Sequence, residues 1–93
     1  MENRKSEGRF EIVNRLGLHA RAAAKLVRLA NRYDSEIRLI RDDIEVNGKS
    51  IMGVLMLAAH KDSLLSVRAE GPDAPDAVQA IGGLIAERFG EEE

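Results

Sequence analysis

Leu16-Gly17-Leu18-His19-Ala20-Arg21 runs without a break into Ala22-Ala23-Ala24-Lys25-Leu26-Val27. A glycine free to take positive φ marks a bend, and strong helix formers begin directly after the histidine. This places an imidazole at a helix N-terminus. The first backbone N–H groups of a helix have no partner within it and carry partial positive charge, which suits an anion. Arg21 adds a fixed guanidinium whose donors match phosphate geometry. A nucleophile, an anion cradle and a cation in three residues describe a place where a phosphoryl group could sit on His19. A histidine near a helix start is more often a cap or a surface residue, so the rest of the chain has to decide.

Upstream, residues 7–14 read as a strand in which Phe10 and Ile12 alternate with Glu11 and Val13. Downstream, a helix is expected from Ala20 to Tyr33. Ala23, Leu26, Val27 and Ala30 fall on its buried face, and Arg21, Lys25, Arg28 and Arg32 form a second stripe. Such a stripe is usually a solvated face. Arg21 and Lys25 nevertheless stand near the positive end, where cations are disfavoured unless an anion is bound. Asp34-Ser35 closes this helix. Residues 36–41 and 44–47 form a hairpin about Asp42-Asp43, with Ile37 and Leu39 inward.

Ser50 is a candidate N-cap for a short helix beginning Ile51-Met52-Gly53-Val54-Leu55-Met56. That helix is apolar all round. Val54, Leu57 and Ala58 can enter the core, which leaves the other face either covered by a neighbour or exposed as a docking surface with adaptable methionines. His60 reads as a surface residue. Leu65, Val67 and Ala69 mark a strand over residues 64–70. A last helix begins near Asp73 or Ala74, with Pro75 and Asp76 in its first turn. Its apolar stripe is Ala77, Val78, Ile81, Leu84, Ile85 and Phe89; Gly82-Gly83 suggests close packing, and Gly90 a C-terminal cap. The order β-α-β-β-α-β-α predicts an α+β fold with a four-stranded, largely antiparallel sheet and three helices on one face. Residues 1–6 and 90–93 are expected to be disordered ends of a single domain spanning 1–93.

Composition narrows the function. The 93 residues suffice for one modest core. There is no cysteine, hence no disulfide and no thiolate chemistry. Two histidines far apart, without a carboxylate at ligand spacing, give no metal site, and no cofactor is implied. Without a long apolar run, and with a charged start (Met1-Glu2-Asn3-Arg4-Lys5), a cytoplasmic protein without membrane attachment is expected. Residues 1–41 hold ten Lys and Arg against five Asp and Glu, whereas residues 42–93 hold four against eleven. A basic half around His19 points to an anionic group or an acidic partner surface. Three aromatics are too few to make nucleic acid a good partner.

Two motifs together resemble a known family. Gly17-Leu18-His19-Ala20-Arg21 with Ala23-Ala24, and Val46-Asn47-Gly48-Lys49-Ser50-Ile51-Met52-Gly53-Val54, are similar to the HPr phosphocarriers of the phosphoenolpyruvate-dependent sugar phosphotransferase system. The similarity runs from about Phe10 to Phe89. It implies the HPr-like open-faced β-sandwich. It implies that His19 accepts a phosphoryl group through Nδ1 from phospho-enzyme I and passes it to enzyme II A domains, with Arg21 and the backbone of Ala20 and Arg21 holding the phosphate. Ser50 matches the serine phosphorylated by HPr kinase/phosphorylase in some bacteria, and Met52-Gly53-Val54 resembles the version found where that kinase exists. Ile51, Met52, Leu55 and Met56, with Ala20 and Arg28, match the partner-docking surface. The family usually has proline after the arginine; here Ala22 stands instead, which implies a looser first turn.

A phosphoryl carrier needs positioning and charge stabilisation more than covalent work, and a neutral imidazole is a competent nucleophile near pH 7. The chain is therefore expected to be a monomeric carrier and not an enzyme. A regulatory module of the same family, acting through Ser50 or a nitrogen-type phosphorelay, is the alternative. A small histidine phosphatase is more remote, because it should want a second acid or base near His19 and none is evident.

Overall fold

The computed structural model describes residues 4–93. The elements are β1 (Arg4–Glu11), α1 (Ala20–Ala30), β2 (Glu36–Arg41), β3 (Ile44–Asn47), α2 (Ile51–Met56), β4 (Leu64–Gly71) and α3 (Ala74–Ala86). This is the expected order. The strands form one sheet in the order β1-β4-β2-β3, and every pairing is antiparallel.

Side-chain alternation decides which face the helices cover. Ile37 and Leu39 of β2 stand opposite Ala69 and Val67 of β4, and Leu65 stands opposite Phe10 of β1. All but Phe10 are buried, and they meet Ala22, Ala23 and Leu26 of α1, Val54 and Leu57 of α2, and Ala77, Val78, Ile81 and Ile85 of α3 in one apolar cluster. The opposite face carries charge. Arg68 of β4 reaches Glu7 at 3.4 Å and Glu45 at 3.9 Å, and Arg38 reaches Glu36 at 3.7 Å. Exposed pairs of this kind add little stability, but they keep the open face soluble.

Several boundaries differ from the sequence reading. β1 starts earlier, at Arg4, and ends at Glu11, because its partner β4 extends to Gly71 and each residue finds a mate (Arg4 with Gly71, Ser6 with Ala69). Of the N-terminal residues expected to be disordered, 1–3 lie outside the described residues, whereas Arg4–Ser6 are strand. α1 stops at Ala30, with Asn31 as its cap, and not at Tyr33. Its buried positions are Ala22, Ala23, Leu26 and Ala30, and Val27 is only half-buried, so the inward face is turned toward Ala22. Ala58 is exposed and takes φ 50°, a reversal after α2 that buries Ala59 instead.

The glycine pair in α3 divides. A Cβ on Gly82 would stand 2.3 Å from the Phe10 ring, whereas one on Gly83 would meet nothing within 4 Å. Only Gly82 is there for close approach. α3 ends at Ala86, so Phe89 and Gly90 do not continue it. Arg88, Phe89 and Gly90 all take left-handed φ (60°, 54° and 79°), which swings the chain back toward α1. Two non-glycine residues in that region are strained. The turn is held because the Phe89 ring is fully buried and Lys25 Nζ donates to the Phe89 carbonyl at 2.6 Å.

At the start of α3, Asp73 does not cap its own helix with its side chain. Its carboxylate reaches across the fold and accepts from the backbone N–H of Asp34 and Ser35 (both 2.9 Å) and from the Ser35 hydroxyl (2.5 Å). The Ser35 hydroxyl, followed by these N–H groups, holds the Asp73 carboxyl below its usual range despite some desolvation. This tie replaces the helix-closing role expected of Asp34-Ser35.

Candidate functional site

His19 is the N-cap of α1. Its backbone is extended (φ −74°, ψ 178°), its carbonyl accepts the first intrahelical bond from Ala23 N–H (2.8 Å), and its Nδ1 accepts from Arg21 N–H at 3.3 Å. Serine, threonine, asparagine or aspartate usually fills this position. An imidazole there performs the same capping bond while keeping its second nitrogen for other work.

The loop before His19 is stitched down by backbone bonds. Ile12 N–H donates to Ser63 O, Asp62 N–H to Ile12 O and Leu18 N–H to Ala59 O, all within 2.9 Å. Gly17 takes φ 65°, and a Cβ there would lie 2.5 Å from the Ala59 carbonyl, so both conformation and space demand glycine. Asn14 is buried, and its amide donates to Gly17 O at 2.9 Å. The bend read from Arg15–Leu18 is thus a rigid turn docked on the loop that follows α2.

The second ring nitrogen departs from expectation. His19 Nε2 meets Glu91 Oε2, and the other carboxylate oxygen accepts from Asn14 Nδ2 at 3.0 Å. The His19 and Glu91 side chains are only 28% and 18% exposed. Burial pushes the Glu91 carboxyl up, but the hydrogen bonds from Asn14 and His19, with the positive charge of Lys25 nearby, outweigh it and hold it below the usual carboxylate range. Arg15 N–H donates to the Glu93 carbonyl at 2.9 Å. The disorder expected of residues 90–93 is corrected for Glu91 and Glu93, which pack on the site. The statement that no second acid or base lies near His19 is also corrected. Neither contact leaves a local signal, since each joins residues more than seventy positions apart. Gly90, a licence for a left-handed turn, is the one local hint of a reversal.

The remaining predicted site residues divide by position. Ala20 and Arg21 are exposed beside His19, and no ion pair engages Arg21 among the described residues. Lys25 of the same stripe is not solvated freely, being bonded to the Phe89 carbonyl. Ala22 is fully buried in the first turn, ahead of the first intrahelical donor. A residue without N–H would lose no helix bond there, so alanine and proline differ mainly in chain stiffness. Ser50 caps α2, its Oγ accepting from Gly53 N–H at 3.2 Å. On α2, Val54 is buried while Ile51, Met52, Leu55 and Met56 are exposed, the two methionines by 68% and 71%. Arg28 is exposed on the last turn of α1, the helix against which α2 packs. The open question of the apolar helix is thereby answered for exposure. His60 is exposed, and no cluster of three metal-ligating side chains occurs among the described residues. Among them, too, no helix is long and apolar enough to cross a membrane.

Known proteins resemble this chain in sequence and in fold. A family model described as "PTS HPr component phosphorylation site" matches residues 6–87. The phosphocarrier protein HPr of Cupriavidus necator is 50% identical over 82 residues, covering 88% of this chain and 92% of that protein. The HPr of Treponema pallidum is 51% identical over 81 residues, covering 87% and 92% respectively. The crystal structure of HPr-C-His from Thermoanaerobacter tengcongensis superposes with a TM-score of 0.91 at 41% identity, over 95% of this chain and 99% of that one. With the open antiparallel sheet, the three helices and both motifs in place, the chain belongs to the HPr phosphocarrier family of the phosphotransferase system.

Proposed function

We propose that this chain is a cytoplasmic, monomeric phosphoryl carrier that takes the group from phospho-enzyme I on His19 and passes it to the A domain of an enzyme II. The observation that carries the reading is the placement of the ring. His19 caps α1 with Nδ1 toward the Arg21 N–H, at a partly exposed site whose neighbours Ala20 and Arg21 are open to solvent.

The Nδ1 lone pair attacks phosphorus as the donor's bond to phosphorus breaks, and the pair of that bond stays with the donor. The N–H of Arg21, already aimed at this edge of the ring, then meets a phosphoryl oxygen, joined by the N–H of Ala20 and the Arg21 guanidinium. These are fixed donors at a positive helix end, so little reorganisation accompanies the arriving charge. Ile51, Met52, Leu55 and Met56, with Ala20 and Arg28, supply the docking face; methionines adapt to more than one partner. Glu91 lies against Nε2, on the opposite edge of the ring from Nδ1, and both its oxygens are engaged. It is not placed to activate water against a phosphoryl group on Nδ1, which favours a carrier over a phosphatase. Ser50, the α2 cap next to Ile51 and Met52, is the regulatory phosphorylation site for HPr kinase/phosphorylase, and its phosphate would bring about two negative charges to the docking face.

Incubation with phosphoenolpyruvate and enzyme I tests the reading. One phosphoryl group should add by mass, ³¹P and ¹⁵N NMR should place it on His19 Nδ1, and His19→Ala should remain unlabelled. An unlabelled wild type, or a labelled His19→Ala, would overturn it.

A further inference from the structure

The family model's match ends at residue 87, and the chain beyond it is shaped to reach the candidate acceptor. Three successive left-handed residues reverse it, the buried Phe89 ring anchors it, and Lys25 Nζ holds the Phe89 carbonyl at 2.6 Å. Arg15 holds Glu93 through its backbone N–H at 2.9 Å and its Nε at 3.5 Å, and Arg88 holds the Glu92 carbonyl at 3.3 Å. The product is one carboxylate with divided duties: one oxygen on the buried Asn14 amide, the other on His19 Nε2. A strained turn kept in place by so many ties is characteristic of a site where geometry matters.

We propose that Glu91 is a positioning residue for the phosphoryl acceptor, its carboxylate holding the His19 ring by Nε2–H so that Nδ1 carries the lone pair and not the proton. The inference rests on the carrier reading above. An imidazole has two tautomers, and the hydrogen bond at one nitrogen selects which nitrogen is nucleophilic. Here both edges of the ring agree: Arg21 N–H donates to Nδ1, and Glu91 accepts from Nε2. When Nδ1 bonds to phosphorus, the proton stays on Nε2 and the ring becomes cationic. Glu91 faces that charge directly, as the oriented carboxylate of a catalytic triad faces its imidazolium. On departure of the phosphoryl group the pair returns to Nδ1 and the same tautomer is restored, so no proton has to be exchanged with water in either direction. Asn14 orients the carboxylate and Lys25 fixes the approach of the tail. The other charges lining the depression over the ring are Arg15, Arg21, Glu92 and Glu93.

The test uses the full chain with Glu91→Ala, Glu91→Gln and Glu91→Asp. In the wild type the His19 ring N–H should give a slowly exchanging, low-field proton signal assigned to Nε2, and Glu91→Ala should lose it. With phosphoenolpyruvate and enzyme I, Glu91→Ala should take up phosphoryl groups about ten- to a hundredfold more slowly at saturating enzyme I, by analogy with the loss when the carboxylate partner of a metal-binding histidine is removed. The KM for enzyme I should change little, because the tail supplies none of the proposed docking residues. Glu91→Gln, which keeps one of the two accepting oxygens and no charge, should fall between, and Glu91→Asp should recover part of the rate. Thermal melts confirm that each variant is folded. A folded Glu91→Ala protein labelled at the wild-type rate overturns this proposal alone. A wild type that is never labelled overturns the carrier reading with it, and the ring N–H signal then reports separately whether Glu91 holds His19.

Discussion

Ser50 offers a perturbation in which stability and docking should separate. Its Oγ accepts from Gly53 N–H at 3.2 Å and caps a helix of six residues whose exposed face is Ile51, Met52, Leu55 and Met56. Ser50→Ala removes the cap and nothing else. The cost should be about 1 kcal/mol, the usual value for an N-cap serine. In a domain of this size that lowers the melting temperature by about 4–8 °C. Docking of enzyme I should stay near wild type, because the apolar face keeps its residues and charge. Ser50→Asp does the reverse. Aspartate caps about as well as serine and its charge suits a helix start, so stability should stay within about 0.5 kcal/mol. The carboxylate now stands at the rim of a face that a partner must dehydrate. An unpaired charge at such an edge costs on the order of 1–2 kcal/mol, a five- to thirtyfold loss of affinity at about 1.4 kcal/mol per tenfold. Circular dichroism melts and titration calorimetry with enzyme I measure the two quantities on the same samples. A Ser50→Asp protein that binds enzyme I as tightly as wild type would falsify the electrostatic account of the docking face. If Ser50→Ala weakened binding as much as Ser50→Asp, shape and not charge would be the controlling factor.

Three further outcomes follow from packing and titration. Gly83→Ala should stabilise α3 by up to about 1 kcal/mol, since alanine is the better helix former and the site is open, whereas Gly82→Ala must displace the Phe10 ring and should lose about 1 kcal/mol or more net; urea unfolding of the two should differ in sign. Phe89→Ala should cost about 3–5 kcal/mol in the same assay, as expected for a fully buried ring, and should release Glu91 from His19, abolishing the low-field ring signal. Asp73 has a depressed carboxyl in the folded state, so its contribution is fully present above the ordinary aspartate range and is lost as pH falls through the lower folded value. Urea titrations between pH 7 and pH 3 should therefore show stability falling at the acid end, with a shallower fall in Asp73→Asn.

The sequence carried the fold because each element has a local cause. Alternation marks β2 and β4, the alanine run sets α1, Ser50 opens α2 and Pro75 sits where a helix can begin. His19 was legible for the same reason: an N-cap is a relation among residues that are neighbours in the chain. The face of α1 was misplaced by one position because Ala22 and Val27 compete for the inward side, and helix–helix closeness selects the smaller. β1 reads three residues too late in the sequence because Arg4 and Lys5 look like a solvated end until Gly71 and Glu70 are known to stand opposite. Phe89 fits the α3 stripe by spacing, yet it reaches the core by a different route after the helix has ended. Glu91 was invisible for a deeper reason. Its meaning lies in Asn14 and His19, and no local pattern says that a glutamate run near the end of a chain returns to its first helix.

The two edges of the imidazole make different demands, and the fold meets them with different parts of the chain. A carrier's nucleophile must be open enough for donor and acceptor proteins in turn, which argues against burying Nδ1. It must also present one tautomer to both, which argues for fixing the ring. A side chain held only by its capping bond at 3.3 Å would satisfy the first demand and leave the second to solvent. Closing the Nε2 edge with Glu91, itself fixed by a buried asparagine, restrains the ring without covering the face that partners approach. On that argument the strain at Arg88 and Phe89 is the cost of bringing a carboxylate to the one side of His19 that no partner needs. A variant tail able to reach Nδ1 instead should compete with the phosphoryl group and slow transfer in both directions.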